Sequence, residues 1–135
     1  MLNRATVTAW LDAYVRAWKT YDPQSIGDLF SENATYYYSP FSEPVSGRSE
    51  IIASWLEEPD KAGTYDGHYE PIAIEGNCAV TNGRSRYFKE DGSTLRTEWY
   101  NIFVLRFDED GRCIEYREWY MERPKNQSVA TETTS

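Results

Sequence analysis

One glutamate set among aromatic side chains is the most chemically suggestive feature of this sequence. The stretch Thr97–Glu122, TEWYNIFVLRFDEDGRCIEYREWYME, reads as two long strands joined at Asp108–Gly111, where acidic turn formers and a glycine separate two β-rich runs. If Phe103 faces a pocket, alternation brings Thr97, Trp99, Asn101 and Leu105 to the same face, and the partner strand adds Ile114, Tyr116, Glu118 and Tyr120. Glu118 is then the one carboxylate on a mostly aromatic surface. Burial among rings would raise its pKa and suit it to general acid or base work. The alternatives are an ion pair with Arg84 or Arg86 across the sheet, or exposure if the alternation slips by one residue.

Arg84 and Arg86 alternate with Gly83, Ser85 and Tyr87, so both point to one face. An arginine in an apolar pocket could clamp a carboxylate or enolate by bidentate contact. A pair of outward arginines answering Glu98, Glu115 or Glu118 fits the same spacing. Tyr36 and Tyr38 share a face, with Tyr37 directed away, and serve either a pocket or ring packing on the first helix. Trp18 and Trp55 read as core or pocket wall. His68 is the only histidine, which argues against a histidine-based triad or a histidine-rich metal site.

Composition narrows the partners. The chain has 135 residues, within the range of one domain, and 16% of them are aromatic, with eleven tyrosines and five tryptophans. Such side chains suit either a cavity that is apolar at one end and wet at the other, or a sheet-rich core. A formal charge of −8 with no basic stripe disfavours nucleic acid and anionic membrane as partners. Cys78 and Cys113 lack metal-ligand spacing, and neither a signal peptide nor an 18-residue apolar run is present. A cytoplasmic protein with two reduced thiols, no metal and no cofactor is expected.

The elements that must position these residues follow in order. Val7, Trp10, Leu11, Tyr14, Val15 and Trp18 form one stripe of an amphipathic helix that Thr6 or Thr8 could cap. Asp22-Pro23 starts a short second helix burying Ile26, Leu29 and Phe30 and ending at Ser31-Glu32-Asn33. A strand spans Ala34–Ser39, Phe41–Val45 is a loop or short extended piece, and a third helix covers Ser49–Glu57 before Pro59. Glu58–Gly67 reads as polar and mobile. Strands are predicted at His68–Glu75, Cys78–Lys89, Thr94–Asp108 and Arg112–Glu122, joined by turn-forming residues. The sum is an α+β domain over residues 1–123, with helices on one face of an antiparallel sheet. From Pro124 onward the chain has no apolar content and should be a disordered tail.

This order resembles the nuclear transport factor 2-like superfamily over about residues 5–122. The residues that carry the resemblance are the Tyr14–Trp18 helix end, Asp22-Pro23 leading into Leu29–Ala34, Ser39-Pro40, Glu43-Pro44, Gly47-Arg48, and the final hairpin with Glu118-Trp119. Together they look like the SnoaL-like branch, which includes polyketide cyclases and steroid isomerases. The resemblance implies a cone: a strongly curved, mostly antiparallel sheet wrapped around three N-terminal helices, with a ligand pocket inside. Steroid isomerases carry an oxyanion-donating tyrosine at a position that falls on Tyr14. Their aspartate base falls on Tyr38, and a second, protonated aspartate falls at or near Phe103. A tyrosine with its ordinary pKa near 10 is a poor base, so that mechanism is rejected.

The resemblance also implies a homodimer through the outer sheet face, where Tyr100, Ile102, Val104, Cys113 and Trp119 are expected to form an apolar patch. Three functions are consistent with the residues. One is a cofactor-free acid/base enzyme acting on a small, largely apolar carbonyl or polyketide-like substrate, with Glu118, Tyr14, Tyr38 and Arg86 as catalytic candidates. Another is a non-catalytic module holding a small apolar or aromatic ligand against Trp18, Tyr36, Trp55, Trp99, Asn101, Phe103, Tyr116 and Tyr120. The third is a protein–protein adaptor, as the nuclear transport members are.

Overall fold

The computed structural model describes residues 2–124, so all but Pro124 of the expected tail lies outside the described residues. Helix α1 spans Arg4–Thr20 and buries Val7, Trp10, Leu11, Tyr14 and Ala17, a stripe at helical spacing. Asn3, rather than Thr6 or Thr8, is its N-cap: the Asn3 side chain accepts from the Thr6 amide and the Thr6 hydroxyl answers the Asn3 amide. Helix α2 is only Pro23–Gly27, capped by Asp22 with Pro23 in its first turn. Leu29 and Phe30 are buried as expected but are not helical. Strand β1 starts at Phe30 and runs to Tyr37, because the Leu29 carbonyl already accepts from the Cys113 amide and begins the pairing with the last strand.

The remaining elements are β2 (Val45–Ser46), α3 (Arg48–Glu57), β3 (Tyr65–Glu75), β4 (Cys78–Phe88), β5 (Leu95–Phe107) and β6 (Cys113–Glu122). They form one six-stranded sheet of order β2-β1-β6-β5-β4-β3, antiparallel except where β1 meets β6. The α+β architecture is the one expected, although the sheet is less curled than the strongly curved cone that was anticipated. Strand β3 begins three residues earlier than predicted, at Tyr65 instead of His68.

Register decides which side chains meet. Phe103 pairs with Glu118, Asn101 with Tyr120 and Leu105 with Tyr116, so the alternation predicted for the final hairpin holds from Asn101 to Leu105 and from Tyr116 to Tyr120. It fails at one end. A register shift between Arg106 and Phe107 sets Phe107 opposite Cys113, which is fully buried, while Ile114 is only partly buried. Cys113 therefore belongs to the core and not to the outer patch, because the bulge inverts the parity at the start of β6. Tyr100, Ile102 and Trp119 do emerge on the outer face, joined by Met121.

Arg86 also lies on that outer face. Its Nε donates to Glu98 at 2.9 Å, Arg84 approaches the same carboxylate at 3.3 Å, and Arg123 closes over it. The Glu98 side chain is wholly buried beneath these guanidinium groups. Burial works against its charge, but hydrogen bonds from Arg123 and Arg86 outweigh that and hold its carboxyl below the ordinary value. The sequence placed Arg86 among the catalytic candidates; the geometry assigns it to this ion cluster, on the far side of the sheet from the aromatic interior.

Candidate functional site

On the inner face, α1, β1, the segment after α3 and strands β3 to β6 line a cavity of about 490 Å³. Its deep wall is built from Tyr14 of α1, Tyr36 of β1 and Glu118 of β6. The rings there are closely set. Tyr36 and Tyr116 stack with centroids 4.0 Å apart, Trp18 and Trp55 stack at 4.0 Å, and Trp99 and Tyr120 at 4.5 Å. Tyr38 and the exposed Tyr120 also line it, as do Tyr65 of β3 and Tyr87 of β4.

Glu118 is held by two donors. The Tyr116 hydroxyl donates to Oε1 at 2.8 Å, and Asn101 Nδ2 donates to Oε2 at 2.7 Å. The Tyr14 and Tyr116 hydroxyls are 3.0 Å apart, so with the Tyr116 proton engaged by Glu118, Tyr14 donates to Tyr116. A second chain arrives through Asn101. Ser85 Oγ donates to Asn101 Oδ1 at 2.9 Å, Tyr69 reaches Ser85 at 2.5 Å, and Tyr65 reaches Tyr69 at 2.8 Å. The same counting of protons makes each hydroxyl of this chain a donor towards Glu118. Two directed hydrogen-bond chains therefore converge on one carboxylate.

Burial raises the Glu118 carboxyl to a pKa of about 7, against the opposing pull of the bonds from Tyr116 and Asn101. A carboxyl at that value exchanges its proton near neutrality, the property general acid/base catalysis needs. The phenols behave differently. Burial, with Coulombic contributions from neighbouring groups, pushes Tyr14 and Tyr116 well above the ordinary tyrosine value, so both are neutral donors. Tyr38 is raised by burial too, and its hydroxyl lies 2.6 Å from Ser54 Oγ.

The residues singled out in the sequence thus divide into three groups. Tyr14, Trp18, Tyr36, Tyr38, Trp99, Glu118 and Tyr120 line the cavity. Trp55, Asn101, Phe103 and Tyr116 are buried and support that wall: Trp55 backs Trp18, Phe103 packs on the Tyr14 ring, and Asn101 and Tyr116 hold Glu118. Arg86 is outside it. Sequence reasoning missed Tyr65, Tyr69 and Ser85. The pattern Tyr65-Asp66-Gly67-His68-Tyr69 carries the period of a strand, but the polar composition of Glu58–Gly67 points to a mobile segment and puts the strand's start at His68. In the structure that glycine leaves room for the two tyrosines. A Cβ at Gly67 would lie 2.2 Å from the Tyr65 hydroxyl and 2.8 Å from that of Tyr69.

Among the described residues, no group of three or more His, Cys, Asp or Glu side chains is placed to hold a metal ion, and no helix is long and apolar enough to cross a membrane. Residues 11–116 match the model of the SnoaL-like domain. The chain belongs to that family. The SnoaL-like domain here is also similar in fold to a solved NTF-2 like protein of unknown function from Burkholderia xenovorans LB400, at 15% sequence identity and a TM-score of 0.66. That match covers 97% of this chain and 94% of the other. No curated protein matches the sequence.

Proposed function

We propose that this SnoaL-like domain takes a small, largely apolar molecule into its aromatic cavity and acts on it as a cofactor-free acid/base catalyst, with Glu118 as the proton-transferring group. The observation that carries this reading is Glu118 itself: a carboxyl on an aromatic wall, oriented by Tyr116 and Asn101, with a pKa of about 7. Tyr14, neutral and already donating towards this carboxyl through Tyr116, supports it as a relay. The substrate class that fits is a carbonyl or polyketide-like compound whose adjacent C–H or hydroxyl proton Glu118 takes and returns. Tyr38 does not act as base, since burial keeps its hydroxyl neutral and Ser54 engages it. Free Cys78 and Cys113 thiols suit a cytoplasmic setting.

A non-catalytic binding module is the second reading. It is favoured by the hydrogen-bond chains, which pair both Glu118 oxygens and the hydroxyls of Tyr14, Tyr65, Tyr69 and Ser85 with protein partners. The two readings separate in one experiment. The Glu118 carboxyl is titrated by NMR, with Glu118→Gln as assignment control, and both proteins are screened with small apolar ketones and polyketide-like compounds. Catalysis predicts a midpoint near 7, turnover rising through it, and loss of turnover in Glu118→Gln by about 10²-fold or more with binding retained. Saturable binding without turnover in either protein establishes the binding module instead.

A further inference from the structure

The opening of the cavity differs in character from its interior. Glu58, Asp60 and Glu122 stand around it, and Arg96 is the cation beside them: three carboxylates against one guanidinium. Glu58, Arg96 and Glu122 are exposed and Asp60 half-buried, which places them at the rim while the aromatic wall lies behind. Neutral donors hold two of the acids in place. The Tyr21 hydroxyl donates to Asp60 at 3.0 Å, and Thr97 Oγ1 donates to Glu122 at 2.7 Å. Such bonds orient a carboxylate without cancelling its charge. Lys61, on the same loop as Asp60, is engaged with Glu90.

Two further observations point to a ligand. The guanidinium of Arg96 already lies 5.7 Å from the centre of the Tyr87 ring, so a ring of this cavity already takes a cation against it. Deeper in, Tyr36 lines the same cavity; its hydroxyl is buried beside the Tyr14 and Tyr116 phenols, and no group meets it in full hydrogen-bond geometry. A buried phenol left unpaired costs free energy that a ligand's polar atom would recover.

We propose that the ligand of this cavity is cationic: an apolar body enters the aromatic interior, and a protonated amine is retained at the rim by Glu58, Asp60 and Glu122 against the faces of the neighbouring rings. This rests on the reading of the cavity as a small-molecule site and adds the charge of what it accepts. The whole chain, at −8, reinforces the selection by drawing cations towards the opening.

The test uses three probes with one apolar body and different ends: 4-phenylbutylamine, 4-phenylbutanol and 4-phenylbutyrate. Binding is followed by quenching of tryptophan fluorescence, since Trp18 and Trp99 line the cavity. The amine should bind about tenfold more tightly than the alcohol, the carboxylate more weakly than both, and the amine's advantage should shrink as salt is added. In the triple variant Glu58→Gln, Asp60→Asn, Glu122→Gln the amine should fall to the level of the alcohol, while unchanged alcohol binding shows that the cavity is intact. Equal binding of all three probes overturns the proposal but leaves the pocket reading standing. Tightest binding of the carboxylate overturns it in favour of Arg96 as anchor. An amine preference that survives in the triple variant overturns it in favour of Glu118 as the counter-ion. No saturable binding of any probe overturns both this proposal and the pocket reading.

Discussion

Burial carries the Glu118 carboxyl to about 7 although Tyr116 and Asn101 both donate to it, so desolvation is the larger effect at this residue. The consequence for stability has a definite sign. In the unfolded chain the group ionises near pH 4.3, whereas in the folded protein it keeps its proton to about pH 7. Between those values the folded state binds more protons, so stability falls as pH rises from about 4.3 and levels off above about 7. The loss amounts to roughly 3–4 kcal/mol. Urea unfolding at pH 5 and pH 8 should show this decline in the unaltered protein and a markedly flatter profile in Glu118→Gln. An equal decline in both proteins would assign the effect to other groups.

Strands β3 and β4 bring the upper hydrogen-bond chain to Glu118, and their close approach depends on two glycines. At Gly67 an added Cβ would meet the ends of the Tyr65 and Tyr69 side chains, which can swing away. At Gly83 it would lie 2.0 Å from the His68 carbonyl oxygen and 2.5 Å from Tyr69 Cα, which are backbone atoms fixed by strand pairing. Gly83→Ala should therefore destabilise the protein more than Gly67→Ala, the latter costing about 1–3 kcal/mol by overpacking. Gly67→Ala should also raise the mobility of the Tyr69 ring, read from its NMR linewidths. Equal denaturation midpoints for the two variants would contradict this account. The β5–β6 hairpin shows the converse case, where one register shift between Arg106 and Phe107 was enough to move Cys113 into the core.

Over the whole molecule the helices cover only one face of the sheet, and the other keeps Tyr100, Ile102, Trp119 and Met121 at the surface, with Trp119 43% and Met121 75% exposed. Tyr100 pairs with Met121 and Ile102 with Trp119, so these four side chains form one contiguous patch. We propose that a second copy covers it about a two-fold axis, because such a patch is larger than isolated surface residues would give. Sedimentation at micromolar concentration should report a dimer. The double variant Ile102→Glu, Trp119→Arg should sediment as a monomer while the Glu118 titration stays near 7, since those side chains lie on the opposite face from the cavity. A monomeric unaltered protein would remove the proposal.

Fold class, the helix stripe ending near Trp18 and the shared face of Asn101, Phe103, Tyr116 and Glu118 were legible in the sequence alone. Each depends on local periodicity: a helix repeats every 3.6 residues and a strand every two, so side-chain direction is written into the spacing of apolar residues. What spacing leaves open is which distant elements meet. Arg86 and Glu118 were compatible with sharing a face until strand register set Arg86 opposite Glu98 and Glu118 opposite Phe103. Tyr65, Tyr69 and Ser85 entered the site through pairing between β3 and β4, where Gly67 and Gly83 allow a close approach that a polar, mobile reading of Glu58–Gly67 does not reveal. The raised pKa of Glu118 likewise required the aromatic wall to assemble around it, because desolvation is a property of everything packed around a charge and not of its neighbours in sequence.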